Sequence, residues 1–207
     1  MTEMIATEQE YVRALRFIID NYVPLLLRDD VPQALRGQSS AVFGNIENIY
    51  AFHSQHFVKE VEGCRHNPFR LSHCFLDHEE HFYLYALYNK NKPRSDELLA
   101  DPHISHFFRQ KQLQLNDKMD LASYLLKPVQ RMGKYSLLLK QVMKECPVTA
   151  PELQDLKSAH VMVKFQLRHG NDLLAMDCLQ GSDVSLELCL ITCCLRNMNV
   201  NQSRVFR

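Results

Sequence analysis

The chain has 207 residues, with 24 Lys and Arg balanced by 24 Asp and Glu, only 6 Gly and no Trp. Average usage would supply about 14 glycines over this length, so turn-dense β sandwiches and barrels, Gly-rich phosphate cradles and collagen-like sequence are disfavoured. Zero formal net charge argues against a general nucleic-acid binder or a polybasic membrane-surface protein, and 46% apolar residues are enough to fill a sizeable core.

Helical periodicity dominates from the first residues. Residues 3–28 space Val12, Leu15, Ile18, Ile19 and Tyr22 at helical intervals, and Pro24 bends or ends the segment. After a turn at Val31-Pro32 and Arg36-Gly37, residues 40–62 carry Val42, Phe43, Ile46, Ile49, Phe57 and Val61, which predicts one amphipathic helix ending at Gly63. Asn67-Pro68 opens a third stretch to Asn91, broken at Lys92-Pro93. Short helical pieces follow over 95–116, interrupted at Asp101-Pro102. The strongest pattern runs from Lys118 to Cys146, closed by Pro147, and a final helix spans 151–178 with Pro151 in its first turn. No convincing alternating strand precedes residue 183, and Asn-Gly and Asp-Gly hairpin signals are absent. The expected fold class is therefore all-α: an elongated, antiparallel bundle of about six helices.

No run of about 18 apolar residues is present to span a membrane. The start, Met1-Thr2-Glu3-Met4, lacks the basic and apolar regions of a signal peptide. The 7 cysteines (Cys64, Cys74, Cys146, Cys178, Cys189, Cys193 and Cys194) are odd in number and irregularly spaced. They read as reduced thiols of a cytoplasmic protein rather than a disulfide framework.

Within Leu121–Glu145, Leu121, Leu125, Val129, Met132, Leu139 and Met143 fall within about 80° of arc and predict a buried stripe. Lys127, Arg131, Lys134, Leu138, Gln141 and Glu145 fall on the opposite side, also within about 80°. A solvated face is usually polar throughout. Here Leu138 stands amid basic and amide groups, the pattern of an apolar anchor in a protein interface, although singly exposed leucines are common.

The stretch from Leu121-Ala122-Ser123-Tyr124-Leu125-Leu126-Lys127-Pro128-Val129-Gln130-Arg131 through Met132-Gly133-Lys134-Tyr135-Ser136-Leu137-Leu138-Leu139 resembles the third conserved region of Dbl-homology domains, the exchange factors of Rho-family GTPases. Glu3-Met4-Ile5-Ala6-Thr7-Glu8-Gln9-Glu10-Tyr11-Val12 is similar to that family's first region, and Arg168-His169-Gly170-Asn171-Asp172-Leu173-Leu174-Ala175-Met176 to its last helix. The resemblance covers residues 3–184. Tyr85–Asp96 and Phe165–Met176 look most like the puratrophin, or Quattro-like, branch.

The resemblance implies a guanine-nucleotide exchange factor that remodels the GTPase's switch loops and Mg²⁺ site without covalent chemistry, and is no enzyme in the bond-making sense. It implies that Glu8 accepts hydrogen bonds from switch I, that Lys134 reaches switch II near the metal site, and that Asn171 bonds switch II. Leu138 would pack on the GTPase, with Lys127, Arg131 and Gln141 around it. The plain alternatives are a first-turn glutamate favoured by the helix dipole, a solvent lysine and a helix-surface amide. For the chain, the alternative is a helical scaffold, or a truncated isoform, that binds GTPases or partners without exchange. No cofactor or metal is expected. His78-Glu79-Glu80-His81 lacks the spacing of a zinc helix and reads as core-edge histidines, and the adjacent Cys193-Cys194 match no zinc or redox motif. Dbl-homology domains are normally followed by a pleckstrin-homology domain. Residues 185–207 are too short for one, so the expected organisation is an exchange domain over 1–184 and a divergent, flexible tail over 185–207. Gly133 is expected to soften the site, at about 1 kcal/mol relative to Ala.

Overall fold

The computed structural model describes residues 1–147 and 149–179, with side chains to Met176. The expected 184/185 boundary and the 185–207 tail lie outside the described residues. Met1–Leu173 form one compact unit; of the second unit, which starts at Leu174, helix is described to Leu179 and side chains to Met176. The elements are helices: α1 (Thr2–Asn21), α2 (Ser39–Phe43), α3 (Ile46–Phe52), α4 (Val58–Gly63), α5 (Leu71–Leu76), α6 (Glu79–Ala100), α7 (Pro102–Gln114), α8 (Leu121–Glu145) and α9 (Glu152–Leu179). Tight 3₁₀ turns at Val23–Leu27, Gln33–Leu35, Cys64–His66 and Pro68–Arg70 connect them.

Side-chain caps set the starts of α7 and α8. Asp101 accepts the amides of His103 and Ile104 at 2.8 and 3.2 Å, and Pro102 follows at the first helical position, so α7 starts there. Asp120 likewise accepts the Ser123 amide at 2.8 Å and opens α8.

Two expected segments differ from the structure. The single helix expected over 40–62 is interrupted twice. Gly44 takes φ +58°, where a side chain is strained, and a Cβ there would lie 3.3 Å from the Tyr88 ring. The chain then widens into one π turn at His53–Phe57, which sets His53 in the core with no exposed surface.

The break expected at Lys92-Pro93 does not occur, and α6 runs through Pro93. Tertiary bonds on both sides of the proline hold it. Asn91 Nδ2 donates to the Ala41 carbonyl at 3.0 Å and Ser95 Oγ to the Val42 carbonyl at 2.6 Å. Those carbonyls belong to the last turn of α2 and have no partner within that helix. Thus α6 caps α2 while α2 steadies α6.

The core is aromatic where the π turn, α5, α6 and α8 meet. Phe57, Phe75, Phe82 and Tyr135 are wholly buried and meet mostly edge to face, with centroids 5.2–6.1 Å apart. On α9, Gly170 lies against α6 so closely that a Cβ would stand 2.7 Å from Asn89 Cβ.

Candidate functional site

α1 and α8 pack side by side, and each helix divides its polar residues between an inward and an outward face. On α1, Met4, Glu8, Tyr11, Leu15 and Ile18 are buried at helical spacing, so Glu8 occupies a core position. On α8 the buried residues are Leu121, Leu125, Pro128, Arg131, Met132, Tyr135 and Leu139. That stripe is turned roughly 40° about the axis from the expected one, reading 100° per residue. Val129 and Met143 sit at its half-buried edge, and Arg131 enters the core.

Glu8 and Arg131 are 1% and 2% exposed, so neither offers itself to a partner on the surface. Arg131 Nη2 lies 2.5 Å from Glu8 Oε2, and Tyr135 Oη donates to the same oxygen at 2.6 Å. The other oxygen, Oε1, accepts from His53 Nδ1 at 2.7 Å; an ionised carboxylate only accepts, so Nδ1 carries the hydrogen. His53 Nε2 is 2.9 Å from Tyr85 Oη, which is 2.9 Å from Tyr11 Oη. The Arg131 guanidinium also stacks over the rings of Tyr135 and Tyr11, at 4.6 and 5.5 Å. Burial by itself would raise the Glu8 pKa; the His53, Arg131 and Tyr135 groups outweigh it and pull it to about 2. Burial raises the Tyr11, Tyr85 and Tyr135 phenols well above 10, so they stay protonated. This network clamps α1, the π turn, α6 and α8 together. Glu8 and Arg131 are corrected accordingly, from surface contacts to buried structural partners.

The outward faces form a different surface. Lys134 and Gln141 are exposed and Leu138 is half-buried, all on α8. Lys127 is half-buried, its ammonium 5.7 Å from the Tyr124 ring centre. An apolar hollow of about 240 Å³ opens between helices, lined by Leu138, Gln141, Val142 and Glu145 of α8 with Met1, Glu3 and Met4. Pro68, Phe69 and Leu71 form its remaining wall. A second, smaller depression of about 90 Å³ lies between the same two helices, lined by Thr7, Glu10, Lys127, Gln130 and Lys134, with the buried Tyr11 and Arg131. The carboxylate that α1 brings to the hollow is thus Glu3, exposed on its first turn, opposite Glu145 of α8. Five residues separate Glu3 from Glu8, which is about 140° around the helix, so only one of them can face outward. Asn171 is exposed on α9 and lines neither depression.

The RhoGEF domain family matches residues 1–171. The chain belongs to the RhoGEF family. It is 54% identical to human pleckstrin homology domain-containing family G member 4B and 54% identical to human puratrophin-1. Each comparison covers 90% of this chain but only 12% and 16% of those relatives, so the chain spans less than a fifth of their length. Rho guanine nucleotide exchange factor 25 of rat is 34% identical, over 90% of this chain and 32% of the relative. The fold agrees with solved structures. An autoinhibited Dbl homology domain determined by NMR gives a TM-score of 0.66 at 25% identity, covering 82% of this chain and 83% of that one. The DH/PH fragment of PDZRHOGEF in complex with human RhoA gives 0.70 at 18% identity, covering 84% and 52%. In this RhoGEF domain the outward α1/α8 face is the exposed counterpart of the motifs that carry the resemblance. Glu3 belongs to the first motif and Lys134, Leu138 and the half-buried Lys127 to the third.

Proposed function

We propose that this domain accelerates GDP release from a Rho-family GTPase whose switch loops dock on the outward α1/α8 face. The observation that carries the reading is the grouping of Glu3, Leu138 and Gln141 around one apolar hollow, with Lys134 one turn from Leu138, in a chain of this family. Leu138 and the hollow supply the apolar centre, and Glu3, Gln141, Lys127 and Lys134 the polar rim. Glu3 takes the acceptor role for switch I that Glu8, enclosed by three donors, is not free to play. Lys134 competes for the acidic groups that hold Mg²⁺, and Asn171 on α9 serves switch II as both donor and acceptor. Glu8 and Arg131 hold α1 against α8, so that the two halves of the face stay in register.

No covalent bond forms or breaks. Exchange factor and nucleotide exclude one another through the switch loops, and that coupling is reciprocal: binding that weakens GDP lets incoming GTP expel the factor. The domain acts in the cytoplasm in this reading. The unpaired thiols Cys64, Cys74 and Cys146 support that compartment, and no described helix is long and apolar enough to cross a membrane.

Release of fluorescent GDP from Rho-, Rac- and Cdc-type GTPases tests the proposal. At least one should be accelerated about tenfold or more, and Lys134→Ala should lose most of that effect with its thermal melt unchanged. Acceleration of none, with folded protein, overturns it. Tight binding to nucleotide-free GTPase without acceleration selects the scaffold reading instead.

A further inference from the structure

Cys64 and Cys74 lie at the two ends of the segment that walls the apolar hollow. Cys64 follows the last residue of α4, Cys74 sits in α5, and Pro68, Phe69 and Leu71 between them face α8. Both thiols are buried, and their sulfurs stand 3.5 Å apart in a hydrogen bond. A disulfide needs about 2.05 Å, so closure asks for a shift of roughly 1.5 Å. The segment is already folded on itself, since the Asn67 amide donates to the Cys64 carbonyl at 3.1 Å and the Arg70 amide to the Asn67 carbonyl at 3.2 Å.

We propose that Cys64 and Cys74 are a reversible oxidation site, closed to a disulfide by hydroperoxide, and that closure pins residues 64–74 and alters the wall of the hollow. Cys64 is the attacking thiol. It is the more exposed of the two thiols, and its hydrogen bond with Cys74, and then the Arg70 guanidinium, lower its pKa against burial and the Glu60 carboxylate. The same bond and burial raise Cys74, which keeps its proton until the second step. Cys64 keeps 7% of its surface exposed against 4% for Cys74, so an oxidant little larger than water is the class that could reach it.

In the first step the Cys64 thiolate attacks one peroxide oxygen, the O–O bond breaks, and hydroxide leaves, taking the proton shed by Cys64 to become water. Cys64 is then a sulfenic acid. In the second, the Cys74 sulfur attacks the Cys64 sulfur and the S–O bond breaks. The departing hydroxide takes the Cys74 proton as a second water. Two thiols lose two electrons and two protons in all, and the peroxide is reduced to water.

Any effect on exchange rests on the function proposed above; the disulfide itself does not. The test uses the full reduced chain treated with hydrogen peroxide, alkylated and digested without reductant. Trypsin cuts after Lys59, Arg65, Arg70 and Lys90, so the bridge should join residues 60–65 to 71–90. Dithiothreitol should separate them, and Cys74→Ser should abolish the link. Amides over residues 66–70 should exchange at least about threefold more slowly in the oxidised protein. GDP release should change at least about threefold, and return on reduction. If both thiols remain open to alkylation after peroxide, the site is overturned. A bridge that leaves amide exchange over 66–70 and 138–142 unaltered overturns its control of the wall. Should the reduced protein accelerate no GTPase, the proposed function fails while the linkage and amide measurements still judge the oxidation site.

Discussion

The inward and outward faces of α1 and α8 use similar side chains for opposite ends. Inward, Glu8 meets Arg131, His53 and Tyr135 with almost no exposed surface. Outward, Glu3 and Lys134 lie in solvent around a half-buried Leu138. In the core, desolvation makes a charge costly until it is paired, so the Glu8 carboxylate ties α8, the π turn and α1 into one arrangement, although Arg131 Nε has no hydrogen-bond partner. At the surface water satisfies the same groups, and they remain available to a partner that can displace it. The difference lies in surroundings rather than in residue type.

The largest effect should come from breaking the inward face. Glu8→Ala leaves Arg131 buried and unpaired and should cost about 3–5 kcal/mol of stability in urea unfolding. Glu3→Ala, five residues away, should change stability by less than about 0.5 kcal/mol yet slow GDP release about tenfold. Equal stability losses for the two variants would erase the distinction between the faces.

Acid sharpens the same contrast. The Glu8 pKa is lowered from 4.5 to about 2 in the folded protein, so its stabilising contribution is complete above about pH 4.5 and is lost as pH falls towards 2. Glu8→Gln should remove that part of the pH dependence of unfolding; an unchanged profile would mean that the carboxylate is not held ionised by the network.

Smaller effects separate the two helix glycines. Gly170→Ala would set a Cβ 2.7 Å from Asn89 Cβ and 3.1 Å from the Ala86 carbonyl, and should cost about 1–3 kcal/mol by forcing α9 from α6. Gly133→Ala meets nothing within 4 Å and should add about 1 kcal/mol, read as a raised melting temperature. Its expected softening of the site is thus testable without steric complication. A destabilised Gly133→Ala protein would refute that account.

Much of the site was legible before the fold. The motif around Lys134 and Leu138 carries the family, and both side chains are accessible in the structure. Arg131 is buried although the periodicity of α8 alone puts it on the outward face, and Glu8 is buried although the resemblance alone gives it a surface role. The missed signal is that Glu8 lies in the register of Met4, Tyr11 and Leu15, and Arg131 between Pro128 and Tyr135. Two opposite charges at core positions of two helices mark a buried pair, but only when the helices are considered together. Glu3 was passed over for the same reason, since its value depends on Leu138 lying beside it.

What the sequence by itself determined is local or motif-borne: the all-α class, the helix boundary at Asp101-Pro102, the close of α8 before Pro147, and membership of the RhoGEF family. Capping, proline geometry and hydrophobic period act over a few residues, so they can be read along the chain. Tertiary structure alone decided which arc of α8 is buried, why α6 survives Pro93, how His53 reaches the core and which glutamate faces outward. Each of those depends on a partner 45 or more residues away, as with Glu8 and His53, or 123 away, as with Glu8 and Arg131. Periodicity shows that a helix has a buried side, but the neighbour that packs against it sets where that side begins and ends.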